Sequence, residues 1–476
     1  MEYDYIIIGA GPSGLTLAYV LGFINKKCLL IDSNNDIGGC HRVIRVNNLF
    51  SEHSPRVYSN SYLNFIQLLK HMNCNFTDLF TPYNFNISKI SGETILKSLN
   101  FKEKIKLLFE FIKLIINPKH GINTSMKKFT KCNNFSPKAI TYIDRLCRLT
   151  DGAGYDRYTL NQFLSLANQQ YLYKLYQPKK PNDIGLFKIW KEAIINTNNV
   201  SIILNTKINS ITENSVNINK QTYKSKNIIL AIPPLSMIDI LNNSEEPIKN
   251  AFGNFETLKK WAISTAYIND ISIIFHWKEK LNIPSIYGFP NSEWGIAFIE
   301  LSKYMNFENP NSNTVISTCI TITNNKSSIL NKNANECNKD EIITETFRQL
   351  KQAFIPFDLP NPDFTILNPM VIKKENEWIN TDDTAYVHTY LNKTISSHSK
   401  TIPTLFNIGT HNGNSIYNFT SMESAVSNAM IFLHKIHPET QHKFPFKKIN
   451  TMINIIHTIL LIILIIIIIY IVVKIY

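Results

Sequence analysis

The first forty residues alternate two apolar runs with a glycine-rich turn between them. Residues 5–8 are continuously apolar, which is typical of a parallel strand buried on both faces, and residues 28–31 repeat the pattern. Residues 15–21 have helical spacing between the two runs. The pattern predicts one strand–helix–strand unit at the N-terminal end, closed by Asp32.

The same reasoning predicts the later elements from their apolar periods. Helices are expected at residues 62–72, 101–116 and 187–198. Strands are expected at 200–204, in a hairpin formed by 208–218 and 221–225, in a separate buried run at 227–231, and through most of 263–323. Residues 324–340 are rich in Asn, Lys and Ser, which predicts a surface loop.

The segment 101–116 carries one polar stripe on an otherwise apolar helix. Asn100 and Glu103 form a predicted cap, and Asn117-Pro118 is expected to end the helix. The stripe consists of Glu103, Lys106, Glu110 and Lys113. This pattern is compatible with two placements of the helix. It can pack on the protein core, or it can lie in a membrane interface.

Residues 452–473 form an uncharged run in which isoleucine predominates. A helix of this length reaches roughly 33 Å, enough to cross a hydrocarbon core of about 30 Å. Lys443, Lys447 and Lys448 precede the run and Lys474 follows it. The positive-inside bias therefore predicts a single-pass, tail-anchored membrane protein with its N-terminal part in the cytoplasm.

Composition narrows the classes of function. The charge of +13 matches either a lysine-rich surface or attraction to an anionic membrane, and no basic stripe interleaved with aromatic residues indicates nucleic-acid binding. The seven cysteines are scattered and none forms a CxxC pair. We therefore expect neither a metal site nor a disulfide framework, and a reducing compartment.

The turn after the first strand has the dinucleotide-binding spacing GxGxxG. It consists of Gly9, Ala10, Gly11, Pro12, Ser13 and Gly14. Gly9 permits the tight turn, Gly11 leaves room for a pyrophosphate at the helix N-terminus, and Gly14 lets the helix pack on the strand. Asp32 ends the second strand, where a carboxylate can bind ribose hydroxyls. Together these features predict a bound dinucleotide.

After Asp32, a short spacer leads to Gly38-Gly39. In this arrangement the chain resembles the FAD-dependent amine-oxidase superfamily, which includes amine oxidases, protoporphyrinogen oxidases and phytoene desaturases. The resemblance implies that the glycine pair lies near the FAD phosphates and that an arginine follows, here Arg42, which is displaced from the commonest family spacing.

The resemblance extends along the chain and implies further FAD contacts. They are Ile208 at the adenine, Ala231 where the chain returns to the FAD domain, Gly409 and Thr410 after the last strand, and Met422 at the start of the flavin helix. Thr410 stands where the family usually has an acid, and Ser424 replaces a usual glycine. No cysteine follows Cys337, so the FAD is expected to be bound non-covalently.

The resemblance implies an α/β protein in which a Rossmann-like FAD-binding domain is interleaved with a mixed-sheet and helical substrate domain. The FAD-binding domain is predicted at 1–75, 200–250 and 400–440, and the substrate domain at 76–199 and 251–399. A linker at 441–451 and the transmembrane helix at 452–473 complete the chain.

Flavin performs the redox step itself, so few catalytic side chains are required. His41, His53 and His411 are candidates for proton transfer, and each can equally be a structural histidine. We expect an oxidoreductase that oxidises an amine or a lipophilic, isoprenoid- or porphyrin-like substrate, with oxygen or a membrane carrier as electron acceptor.

Two other functions stay open. The segment from Asp36 through Arg56 also resembles UDP-galactopyranose mutases, which catalyse a redox-neutral isomerisation. A relative that binds flavin without catalysis is the third interpretation.

Overall fold

The computed structural model describes residues 2–83, 95–219, 221–284, 292–381, 386–388, 393–414, 421–448 and 452–475. Its strands are β1 (Glu2–Ile8), β2 (Cys28–Ile31), β3 (Val43–Val46), β4 (Leu49–Glu52), β5 (Tyr58–Ser59), β6 (Phe80–Pro82), β7 (Leu175–Pro178), β8 (Val200–Ile203), β9 (Ser215–Ile218), β10 (Gln221–Leu230), β11 (Ala266–Ile268), β12 (Ile271–Trp277), β13 (Ile296–Glu300), β14 (Thr314–Ile320), β15 (Phe364–Leu367), β16 (Val371–Lys374), β17 (Glu377–Asn380), β18 (Tyr386–His388) and β19 (Leu405–Asn407). Its helices are α1 (Pro12–Phe23), α2 (Leu63–His71), α3 (Phe76–Leu79), α4 (Ile95–Ser98), α5 (Phe101–Ile116), α6 (Met126–Cys132), α7 (Pro137–Asp151), α8 (Leu160–Leu172), α9 (Leu186–Ile195), α10 (Pro234–Asn242), α11 (Phe255–Ser264), α12 (Lys339–Phe354), α13 (Met422–Ile436), α14 (Thr440–Lys443) and α15 (Met452–Ile475).

A parallel sheet in the order β19-β10-β1-β2-β8 carries the N-terminal unit. Its central strands are buried on both faces, because α1 and α13 pack on one side and α10 and α11 belong to the cluster on the other. This burial explains the continuous apolar runs in the sequence. The chain thus reaches the sheet first, leaves it, and returns twice.

One predicted hairpin is wrong in its bounds. Strand β9 begins only at Ser215, and residues 204–210 form no strand. The runs 221–225 and 227–231, predicted as separate strands, fall in the single strand β10, which ends at Leu230, one residue before the predicted end. Its first half pairs with β9 and is mostly exposed, whereas its second half is buried between β1 and β19. The change of surroundings along one strand produced two different sequence patterns.

A second, antiparallel sheet has the order β13-β14-β12-β15 and is covered by α12. Helices α5 to α8 form a separate apolar cluster. The predicted α/β class, with a Rossmann-like sheet and a further part built of a sheet and helices, is confirmed, but this further sheet is antiparallel rather than mixed. The domain boundaries stay a prediction. The strands of the parallel sheet come from all three segments that are assigned to the FAD-binding domain.

Helix α5 has the bounds that the sequence predicts, and both halves of its capping box form. Asn100 accepts a hydrogen bond from the Glu103 backbone at 3.0 Å, and Glu103 accepts one from the Asn100 backbone at 2.7 Å. Helix α15 contains a stretch, Asn454–Lys474, that is long and apolar enough to cross a membrane. Most of this stretch is exposed, and the helix contacts α5 and α8.

Candidate functional site

A cavity of about 520 Å³ opens along the carboxyl edge of the parallel sheet. This is within the range of pockets that hold small molecules and cofactors, and the edge is where ligands bind in open α/β sheets. Among its lining residues are Gly9, Gly11, Pro12, Ser13, Asp32, Gly39, Ile208, Ala231, Gly409 and Thr410. Residues separated by about 400 positions in the sequence thus share one chamber.

The N-terminus of α1 opens at this cavity. Pro12 is the first residue of the helix. Among the residues that the structure describes, no side chain accepts a hydrogen bond from the first turn. The backbone N–H groups of that turn are therefore available to an anion, which the positive end of the helix attracts. A Cβ added at Gly11 would meet nothing nearer than the Gly39 Cα at 3.7 Å. The bare backbone at Gly11 therefore leaves space for a ligand.

Asp32 is held rigidly beside this turn. Its Oδ2 accepts a hydrogen bond from the Ala10 backbone at 2.6 Å. Its Oδ1 accepts from the backbone and the side-chain amide of Asn34, at 2.8 and 2.9 Å. The carboxylate is thus oriented before any ligand arrives, with lone pairs remaining for hydroxyl groups. Asn34 was missed in the sequence, although an acid two residues before it is an Asx-turn pattern.

The other end of the cavity lies at the N-terminus of α13. Ser421 caps this helix by accepting a hydrogen bond from the Ser424 backbone at 3.0 Å. Ser421, Thr410 and His411 line the cavity. The cavity therefore connects two helix N-termini, a geometry suited to a long ligand with negative charge.

Four of the predicted FAD residues do not line the described cavity. Gly14 is fully covered because a Cβ there would overlap the carbonyl oxygen of Gly9. Gly38 lies against the Phe187 ring, Arg42 is buried, and Met422 belongs to the apolar core at the start of α13. These four residues are outside the cavity lining that the structure describes.

His41 lines the cavity and belongs to a buried polar cluster, which we define as His41, Glu52, His53, Arg56 and Tyr58. The Arg56 guanidinium donates a hydrogen bond to the backbone oxygen of Cys40, and the Tyr58 hydroxyl lies 3.4 Å from His41 Nδ1. His53 is buried in the cluster but does not itself line the described cavity.

Burial sets the charges of the polar cluster. It lowers the pKa of both His41 and His53 well below the usual histidine value, and the Arg56 charge lowers them further. Both imidazoles are therefore neutral at physiological pH. Burial raises the pKa of Glu52 to about 7, although the Arg56 charge opposes the shift. Glu52 can thus exist in either protonation state near neutral pH.

His411 is also buried, and burial lowers its pKa to about 4. Its Nε2 lies 2.9 Å from Asn407 Oδ1, which fixes the ring at the cavity wall. The structure places His411 and His41 on the lining of the same chamber.

Glu423 is a second residue that sequence reasoning missed. It is fully buried, and it accepts hydrogen bonds from the Asn64 and Phe65 backbones at 3.2 and 3.0 Å and from the Asn64 amide at 2.6 Å. It thereby binds the first turn of α2 to the first turn of α13. No local pattern reveals this contact, because the partners are more than 350 residues apart.

Comparisons with known proteins agree with this geometry. The sequence model of the NAD(P)-binding Rossmann-like domain matches residues 7–72. The UDP-galactopyranose mutase of Mycoplasma genitalium is 28% identical over 161 residues, which are 29% of this chain. The match spans 39% of the length of that mutase.

Solved structures share the fold over nearly the whole chain. Putrescine oxidase bound to putrescine superposes with a TM-score of 0.61 and 12% identity, covering 92% of this chain and 99% of that one. A fatty acid isomerase of P. acnes gives a TM-score of 0.58 and 11% identity, covering 91% and 99%. The chain therefore contains an NAD(P)-binding Rossmann-like domain and shares the overall fold of putrescine oxidase and of the fatty acid isomerase.

Proposed function

We propose that this chain binds FAD non-covalently in the cavity and is an oxidoreductase that takes a hydride from an amine or a lipophilic, isoprenoid- or porphyrin-like substrate. The observation that carries the proposal is the single chamber between the glycine turn of α1 and the N-terminus of α13. It fits a ligand that has an adenosine at one end, a pyrophosphate in the middle and an electron-accepting ring at the other end.

The residues of the chamber fit such a ligand. The uncapped first turn of α1 and the space at Gly11 suit the pyrophosphate. Asp32 suits the adjoining ribose because its carboxylate is already oriented. Ile208 and Ala231 offer backbone and small apolar surface along the wall. The N-terminus of α13 places a positive helix end near the ring, where it favours negative charge.

Bound FAD would supply hydride acceptance, so the chain itself has to position substrate and manage protons. His41 is neutral and faces the cavity, so it can orient a substrate by hydrogen bonding. Glu52, with its pKa raised to about 7, is the better candidate within the polar cluster to take up a proton near neutral pH.

Helix α15 would moor the enzyme to a membrane, with the lysines before it keeping the N-terminal part cytoplasmic. This arrangement supports a lipophilic substrate and leaves oxygen or a membrane carrier as the electron acceptor.

A redox-neutral mutase is the second candidate, favoured by the sequence match to the Mycoplasma enzyme. The two candidate functions differ in the oxidation state that the flavin must have before the substrate reacts. An oxidase starts from oxidised flavin and loses its visible absorbance when substrate is added without oxygen. A mutase needs prior reduction and leaves the flavin reduced after turnover.

The test is an anaerobic titration of the full chain, purified in detergent with FAD, with amines, porphyrinogens and UDP-galactopyranose. Bleaching by an amine or a lipophilic substrate supports the oxidase. Turnover of the sugar nucleotide only after chemical reduction contradicts the oxidase and supports the mutase. The non-catalytic interpretation is supported instead if the chain binds flavin, but no compound bleaches the oxidised flavin and none is converted after the flavin is reduced.

A further inference from the structure

Helix α5 has apolar side chains on two opposite sides. On one side Leu114 is fully buried, and Leu107 and Phe111 pack on the helical cluster. On the other side Leu108 and Ile116 are 53% and 66% exposed, although they are large and apolar. The core explains only the first side.

The exposed residues form one continuous stripe. It consists of Phe101, Leu108, Phe109, Ile112 and Ile116. With 3.6 residues per turn, these positions lie within an arc of about 100° around the helix axis. We call this arc the α5 stripe.

Lysines border the α5 stripe on both edges. By the same helical spacing, Lys102, Lys106 and Lys113 follow one edge and Lys104 follows the other. The Lys113 ammonium is paired with Glu110 at 2.7 Å. An apolar arc with a row of cations along one edge and a further cation on the other is the pattern of a helix that lies flat at a membrane surface, because the cations attract anionic headgroups.

The position of α5 in the fold points to the same partner. Helix α15 contacts α5 and α8, and most of its apolar side chains within Asn454–Lys474 are exposed. Helix α5 is therefore next to the segment that would cross the bilayer, and Lys443, Lys447 and Lys448 add further cations just before that segment.

We propose that α5 lies in the interfacial layer of the membrane that α15 crosses, with the α5 stripe at the boundary of the acyl chains and its lysines at the headgroups. The helical region α5–α8 is then held against the lipid by two elements rather than tethered by one. This inference rests on the proposed anchoring by α15 and does not depend on the flavin chemistry.

The test places a nitroxide label on the α5 stripe in the full chain, reconstituted into vesicles of phosphatidylcholine and phosphatidylserine. Leu108→Cys and Ile112→Cys are made separately in a Cys132→Ser background, since Cys132 is the exposed native thiol. Ile355→Cys is the matched control, because Ile355 is apolar and 73% exposed just after α12, which packs on the antiparallel sheet.

Collision with oxygen and with a water-soluble nickel complex then distinguishes the environments. We expect labels at 108 and 112 to meet oxygen more than nickel, and the label at 355 to show the reverse. Equal behaviour of all three labels overturns the proposal. Shielding of 108 and 112 from both reagents also overturns it, and indicates a second protein copy on the α5 stripe.

Two readouts on the same samples separate the proposals. Flavin absorbance reports on cofactor binding, so a flavin-loaded chain with water-exposed labels at 108 and 112 contradicts only the placement of α5. Failure of the chain to float with the vesicles contradicts the anchoring by α15 and this inference together.

Discussion

Gly11→Ala separates the ligand-binding role of the glycine turn from its structural role. Gly11 has φ −74° and ψ 176°, which alanine adopts without strain, and the added Cβ would meet only the Gly39 Cα at 3.7 Å. The variant is therefore expected to fold. Replacing a compatible glycine also restricts the unfolded chain, which adds about 0.4–1 kcal/mol to the free energy of unfolding.

The same methyl group projects into the space where the pyrophosphate would approach the helix. A ligand at 100 times its Kd stabilises a protein by about 2.7 kcal/mol, and this gain disappears if the variant no longer binds it. Thermal unfolding of the wild-type chain and the variant, each with and without added FAD, measures both effects. We expect FAD to raise the Tm of the wild-type chain only.

Gly14→Ala is the matched control, because its Cβ would overlap the Gly9 carbonyl oxygen and disturb the packing of α1 on the sheet. We expect this variant to lose stability with or without FAD. The reasoning is refuted if Gly11→Ala gains as much stability from FAD as the wild-type chain does, or if it fails to fold without FAD.

Three further predictions concern the carboxylates and the tail. Asp32→Ala leaves the buried Ala10 N–H without its acceptor, so we expect the free energy of unfolding, measured with urea and without flavin, to fall by about 1–3 kcal/mol. The variant should also bind FAD more weakly in a fluorescence titration. An unchanged FAD affinity would contradict the role of Asp32 at the ribose. Burial raises the pKa of Glu423 from its ordinary 4.5 to about 7, so the folded chain holds this proton and the free energy of unfolding should fall between pH 4.5 and 7, by up to about 3 kcal/mol. Glu423→Gln should flatten that dependence in urea titrations at several pH values, and an unaltered slope would show that other groups cause it. Ile462→Lys and Ile466→Lys each oppose insertion by about 2.5–3.5 kcal/mol, so we expect this double variant to be extracted from the membrane fraction by alkaline carbonate. The control with leucine at both positions should stay in the membrane fraction. Equal behaviour of the two variants would argue against a membrane span.

The parts of the fold that sequence predicts are those whose cause is local. The strand, glycine turn and helix at the N-terminus follow from residues within about 30 positions, as does the capping box of Asn100 and Glu103. Strand β10 was divided wrongly because its burial changes halfway along, and burial depends on the distant partners β1 and β19.

The site follows the same rule. The glycine turn and Asp32 carry a recognisable spacing, whereas the walls contributed by Thr206, Lys207 and Asn209 come from irregular backbone with no pattern. Glu423 was missed because its partners lie on α2, and the charge state of the polar cluster could not be predicted because burial determines it. Both the contacts of Glu423 and the burial of the polar cluster depend on residues that are far apart in the sequence.

The most direct test of the central claim is to identify what the folded chain releases. The full chain is purified, its folding is checked by circular dichroism, and the small molecules freed by denaturation are identified by mass spectrometry and counted. We predict one FAD per chain, either retained from expression or taken up on incubation with FAD. A folded chain that releases none, and that takes up none at saturating FAD, would contradict the claim that the cavity is a flavin site.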